Sequence, residues 1–378
     1  MKKTALLCSS LLMLSVQGAI ADVNVGITLS STGPGASLGI PEKNALKFFP
    51  TEAGGEKINY IVLDDATDPS AATKNARKLV SEDKVDILVG SSVTPSSLAV
   101  AEVAVESGTP QIAIAPINLP PEKNAWVFRT PHSNSVMASA LVEHMQKSGV
   151  KTLGFIGYSD AYGEDWITAL TPLLEENSIE LVATERYNRT DTSVSGQVLK
   201  LISRKPDAII VVGSGSPAAL PQTALVERRY QGQIYQTHAA ANQAFLGVAG
   251  KAAEGVIMPV GPVVVVDQLD DSHPSKSIGA QLVADYNSAY GDNSFASFAS
   301  YSFDAGLLIA DAVPKALAVA KPGTAEFRMA LRDALQAGDE VVGTNGVYHM
   351  TEEDHFGLDP RGRVLVQIKD GKYNLLPM

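Results

Sequence analysis

Residues 85–97 read VDILVGSSVTPSS, and this stretch decides the fold. A short β-branched run (85–90) ends on Gly90, and a loop of hydroxyls and small residues follows. Thr94-Pro95-Ser96 then sets a cap candidate beside a proline, the mark of a starting helix. The same unit recurs along the chain. Strands are expected over 23–30, 58–65, 85–90, 110–115, 152–158, 179–187, 208–213, 233–238 and 254–260. Helix-length segments lie near 37–53, 70–83, 95–107, 134–148, 161–177, 193–205 and 217–231, with Asp68-Pro69-Ser70 and Ser216-Pro217 as further starts. Strand-then-helix alternation implies right-handed crossovers and parallel sheets. Runs such as AIIVVG (208–213) are apolar at nearly every position, as strands covered by helices on both faces are. So many units exceed one open six-stranded sheet. We expect two doubly wound domains, with a break near 130–150 where the strand pattern restarts. Residues 259–275 lack helical period and are punctuated by proline, which suggests an extended crossover. Helices near 276–290, 302–320 and 324–337 follow. Residues 341–349 and 363–376 read as hairpins, the second turning at Asp370-Gly371.

Composition narrows the function. The 378 residues are 45% apolar and 19% charged, which is ordinary for a globular chain and excludes disorder. The net charge of −11, with no basic run, argues against nucleic acid or an anionic membrane as partner. Lys2 and Lys3, the apolar run 5–16 and Ala19-Ile20-Ala21 read as a cleaved secretory signal over 1–21. The run is shorter than the roughly 20 residues a spanning helix needs. Without Lys2 and Lys3 the 30 basic residues become 28 against 41 acidic, so −11 becomes −13. The sole cysteine, Cys8, lies within the signal, and Leu7 before it disfavours lipid attachment. The mature chain then has no disulfide, thiolate metal site or cysteine nucleophile.

Ligands of doubly wound sheets sit beyond the carboxyl ends of the strands. Here those ends carry Ser30–Gly39, Ser91–Ser97 and Pro116-Ile117-Asn118. Exposed N–H groups at a helix start bind anions without a basic side chain, although simple capping explains any one loop alone. In the second half, Tyr162, Ser214–Ser216 and His238 stand at strand ends. Nucleotide motifs fail: Gly33–Leu38 lacks the third glycine, no acidic residue ends the strand after Gly213–Ala218, and no GxxxxGK[ST] occurs. GxSxG and HExxH are also absent. His349 and His355, around Glu352, Glu353 and Asp354, match no helical ligand spacing and read as a solvated acidic turn. Asp64-Asp65 reads as a pair that caps and orients neighbouring loops. No metal, cofactor or catalytic residue is expected.

The chain resembles the periplasmic solute-binding proteins of ABC importers, specifically the branched-chain amino-acid group. The resemblance is carried by VGITLSSTGPGASLGIPEKNALKF (25–48), DDATDPSAATKNARKLV, VDILVGSSVTPSS, VFRTP, GYSDAYGED and HAAANQAFLGVAGKAAEGVIM, and covers 22–378. It implies an α/β fold of two Rossmann-like lobes joined by three crossovers, the type I architecture. The lobes would be 22–140 plus 264–342 and 141–263 plus 343–378. It also implies a monomer that closes on a small ligand, docks on a membrane permease and performs no catalysis. Matching to the family places Thr94, with Ser92 beside it, against the ligand carboxylate. Ala115 and Ile117 fall on the next loop, Leu38 on the first, and Tyr162 with Ser214, Gly215 and Ser216 on the second lobe. The family's ammonium-holding acid falls at His238, which cannot supply a negative charge, and its usual hydroxyl residue falls at Ile117. Leu38 and Gly215 or Ser216 replace bulky aromatics, which enlarges the pocket. A buried ammonium without an acidic partner costs several kcal/mol. The expected ligand is therefore a small hydrophobic carboxylate, either an amino acid or an amine-free aromatic or keto acid. The alternative role is a sensor of the same fold acting on a signalling partner.

Overall fold

A computed structural model describes residues 22–377. The expected signal segment, residues 1–21, lies outside the described residues. Two parallel-rich sheets form two lobes. The first holds β1 (Val23–Leu29), β2 (Glu52–Ala53), β3 (Glu56–Asp64), β4 (Ile87–Gly90), β5 (Gln111–Ala113) and β6 (Val127–Arg129), in spatial order β2-β3-β1-β4-β5-β6. Only β2 runs antiparallel there. The second is built from β7 (Thr152–Tyr158), β8 (Glu180–Tyr187), β9 (Ala208–Val212), β10 (Gln233–Gln236) and β11 (Ile257–Val260). After a hairpin of β12 (Glu340–Val342) and β13 (Val347–His349), the chain returns through β14 (Val364–Lys369) and β15 (Lys372–Leu376). The second order is β15-β14-β11-β10-β9-β7-β8, with β14 and β15 antiparallel. In both lobes the chain starts centrally and reverses its strand order, at β1/β4 and at β7/β9. Such reversals open a crevice beyond the strand ends.

The helices are α1 (Ala36–Ala45), α2 (Pro69–Ser81), α3 (Thr94–Ser107), α4 (Pro121–Asn124), α5 (Asn134–Lys147), α6 (Ala161–Glu176), α7 (Ser195–Ser203), α8 (Ala219–Glu227), α9 (Gln243–Ala249), α10 (Lys276–Tyr290), α11 (Phe298–Leu317) and α12 (Ala325–Leu335). Local chemistry sets several starts. Asp68 caps α2 by accepting from Ala71 N at 2.7 Å, with Pro69 next, and Ala72, Ala76 and Leu79 bury one face at helical spacing. Thr94, expected as a cap, is instead the first residue of α3. Val93 precedes it, and no side chain caps this helix. Asp370 and Gly371 both take positive φ, 52° and 67°, so the β14–β15 turn forms as the Asp-Gly pair predicts.

Three passages join the lobes, and two lie away from their expected places. The boundary at 140 falls inside α5, which packs on α6, β11 and β14. The first passage is therefore 130–133. Residues 343–358, expected with the second lobe, lie on the first. Tyr348 donates to Asp304 of α11 at 2.8 Å, and the His355 ring stacks on Phe128 at 4.3 Å. Both corrections have one cause: a hairpin and a helix with apolar faces go to whichever sheet offers a partner, and composition does not encode that choice. The 259–275 segment is less extended than expected, since Pro262–Gln268 winds into 3-10 turns.

Candidate functional site

The crevices of the two lobes face each other across one narrow cavity. From the first lobe, Ser92, Val93 and Thr94 bring the uncapped start of α3 to the cavity, and Ala115 with Pro116 adds the loop after β5. The Thr94 hydroxyl donates to Pro116 O at 3.2 Å, which ties those two loops together. Leu38, Ile114, Pro131 and Phe298 supply apolar wall. From the second lobe come Tyr162, Arg189, Ser214, His238 and Ala239.

Behind Ser92 lies a buried polar knot. The Ser92 hydroxyl donates to Glu42 of α1 and accepts from Ser30 N at 2.9 Å. Burial, offset in part by this Ser92 bond and reinforced by Asp65, pushes the Glu42 carboxyl up to about 8. Asp65 accepts from the hydroxyls of Ser30 (2.7 Å), Ser91 (2.6 Å) and Thr28 (3.2 Å) and from Thr67 N (3.0 Å). Asp64 similarly takes Ser31 N and the Thr32 hydroxyl. The acidic pair thus orients the strand-end loops, as its sequence position suggests.

The second-lobe wall is organised around Arg189. Its Nε pairs with Asp160 at 2.6 Å, its Nη1 donates to Ser214 Oγ at 2.9 Å, and its guanidinium lies 4.1 Å over the Tyr158 ring. Burial opposes its charge, but Tyr158 and Asp160 outweigh burial and hold its pKa above the usual arginine value. Tyr162 donates to Thr237 at 2.9 Å and lies near Trp166. His238 packs near Trp166 as well. Burial first, and then His132, lower its pKa to about 3, so it meets a ligand as a neutral ring.

The structure therefore brings Leu38, Ser92, Thr94, Ala115, Tyr162, Ser214 and His238 around one cavity. It places three other expected residues off that wall. Ile117 is fully buried with Ala101, Ala113 and Val127, and only its carbonyl is engaged, by Arg129 Nε at 3.0 Å. Gly215 and Ser216 instead meet the opposite lobe: Ser216 N donates to Ser37 Oγ at 3.2 Å. Sequence reading missed Arg189, Phe298 and Tyr301, which also line the cavity. Arg189 stands two residues past β8, a strand end that offered its signal openly. The acidic turn 352–354 is solvent-facing while His355 is buried. Among the described residues, no three His, Asp or Glu side chains group as metal ligands, and no helix is long and apolar enough to cross a membrane.

Known proteins resemble this chain in sequence and fold. The family profile for periplasmic binding proteins matches residues 22–372. An amino acid binding protein of Pseudomonas aeruginosa is 28% identical over 57% of this chain, which spans 60% of that relative's length. The Leu/Ile/Val-binding protein BraC3 of Rhizobium johnstonii is 25% identical, covering 85% of this chain and 86% of its own. An extracellular ligand-binding receptor from Rhodopseudomonas palustris superposes with a TM-score of 0.93 at 50% identity, covering 94% of this chain and all of that one. The solute binding protein of an ABC transporter from R. palustris, solved with benzoate, superposes at 0.77 with 22% identity, over 94% and 96% of the two chains.

Proposed function

The chain belongs to the periplasmic binding protein family, whose members bind solutes rather than transform them, and we propose that it captures a small hydrophobic, amine-free carboxylate between its lobes and delivers it to the permease of an ABC importer. One observation carries the choice of ligand: among the described residues no aspartate or glutamate lines the cavity, whereas the partly buried Arg189 does. A ligand ammonium enclosed there would be desolvated without a counter-charge, at a cost of several kcal/mol. A carboxylate meets the uncapped N–H groups of α3 and its favourable dipole. The benzoate-bound relative supports an aromatic acid, and the amino-acid-binding relatives support the carboxylate half of the reading.

In this reading Thr94 and the α3 amides hold the anion on the first lobe. Tyr162, Arg189 and His238 reach the rest of the ligand from the second. Closure favours the ligand because only the closed form presents both walls, and a ligand shifts that equilibrium by its differential affinity. The chain acts as a monomer in the periplasm after removal of residues 1–21, and the closed form is what the permease meets. Calorimetric titration with leucine, phenylalanine, benzoate and phenylpyruvate tests the ligand class. Benzoate or phenylpyruvate should bind and leucine should not. Tight leucine binding without affinity for either amine-free acid overturns the proposal.

A further inference from the structure

The apolar wall of the cavity is interrupted on one side by donors that the protein itself leaves unspent. Arg189 uses Nε on Asp160 and Nη1 on Ser214, and Nη2 takes no partner among the described residues. Neither ring nitrogen of His238 has a hydrogen-bond partner among the described residues, and Nδ1 is fully buried. The Tyr301 hydroxyl likewise has none, although the residue is 3% exposed and lines the cavity.

These groups line the same cavity from three neighbouring elements. Gly215 N donates to Ala239 O at 2.7 Å, which ties the Arg189–Ser214 pair to the turn His238–Ala240. Ser297, one helical turn before Tyr301, donates to Ala241 O at 2.5 Å and brings the start of α11 to the same turn. These donors come from the ends of β8 and β10 and from α11, not from the start of α3, where the carboxylate is proposed to sit. A donor shut away from water without a partner is costly, so a purely apolar ligand end is a poor occupant here. Arg189 is already neutralised by Asp160, and His238 is a neutral ring, so the wall offers hydrogen bonds rather than net charge. That combination suits a hydroxyl or carbonyl better than a second carboxylate.

We infer that the pocket selects a two-ended acid, whose carboxylate lies at α3 and whose far end carries a neutral hydroxyl or carbonyl taken by Arg189, Tyr301 and His238. This rests on the carboxylate reading of the same cavity and adds to it the group that sets specificity. Hydroxyl and methyl are close in size, so the test pairs 3- and 4-hydroxybenzoate with 3- and 4-methylbenzoate, titrated calorimetrically into the full mature chain. At least one hydroxy acid should bind about tenfold more tightly than its methyl counterpart, as one net hydrogen bond predicts. Tyr301→Phe, which keeps the ring, and Arg189→Gln should each narrow that ratio to within about threefold. Equal binding of both pairs to the wild-type chain overturns this inference and leaves the carboxylate proposal standing. A wild-type preference that both variants retain in full also overturns the assignment to this wall. Leucine binding with no affinity for any of the four benzoates overturns both readings.

Discussion

Glu42 sits fully buried behind the cavity wall, and its pKa of about 8 has a definite sign for stability. Burial is the largest cause, the Ser92 bond works against it, and Asp65 adds to it. Between the usual glutamate value and 8, the unfolded chain has released this proton while the folded chain keeps it. The contribution is therefore fully present at pH 4.5 and below and is lost as pH rises toward 8, by roughly 4 kcal/mol at the upper end. Glu42→Gln removes that titration. Its denaturant midpoint relative to wild type should rise from pH 5 to pH 8, and an offset equal at both pH values would refute the assignment. His132 runs the other way. Burial first lowers it to about 4, with the Gly362 and Asn345 backbone bonds and Asp359 raising it and Arg363 lowering it. Its stabilisation is present above the usual histidine value and lost as pH falls toward 4, by roughly 3 kcal/mol. His132→Gln should flatten the acid side of the stability profile measured by urea unfolding between pH 7 and 4. An acid side as steep as that of wild type would show that other groups carry it.

Helix placement on each sheet depends on two glycines that occupy equivalent positions in the two lobes. A Cβ on Gly39 of α1 would stand 2.2 Å from Ser30 O, and one on Gly163 of α6 would stand 1.9 Å from Tyr158 O. Each lets the helix press on the end of the lobe's central strand, β1 or β7, beside the cavity. Gly163→Ala should cost roughly 2–4 kcal/mol by forcing α6 outward. Gly247→Ala in α9, where a Cβ meets nothing within 4 Å, should be neutral or stabilising by up to about 1 kcal/mol. Chemical unfolding of the pair decides it, and equal effects would remove the close-approach argument. At this scale the sequence is most legible. The strands with continuous β-branched runs and the helices with long apolar stripes appear within a few residues of where periodicity puts them. Those that escaped are short: β6 has three residues, α9 has seven. The site is legible where a loop joins a strand to a helix, as at Thr94, Tyr162 and His238. It is not legible at Tyr301, which the expected helix over 302–320 left out and which α11, starting at Phe298, carries to the cavity. Ile117 lies off the cavity because position along the loop does not fix which side of it a β-branched residue turns to.

Contacts between the lobes at the cavity rim make the whole molecule sensitive to single atoms there. Asn118 of the first lobe donates to Asp165 of α6, which also accepts from Asn134 at the first passage. Across the rim, Gly215 approaches the first lobe so closely that a Cβ would lie 2.1 Å from Ser37 Oγ and 2.6 Å from Leu38 Cδ1. Its φ of +57° adds a preference for glycine. Gly215 does not line the cavity, so a larger residue there strikes the facing lobe at Ser37 and Leu38 and opposes closure. A clash that raises the closed form by about 1.4 kcal/mol lowers apparent affinity tenfold, because ligand binding must then also drive the lobes together. Gly215→Val should therefore weaken benzoate binding by at least about tenfold. Small-angle scattering should show the wild-type radius contracting when ligand is added and the variant staying expanded. The two readings must move together: weakened affinity with an unchanged contraction would place the defect in the pocket, and unchanged affinity would show that these lobes do not need to meet at Gly215 to hold their ligand.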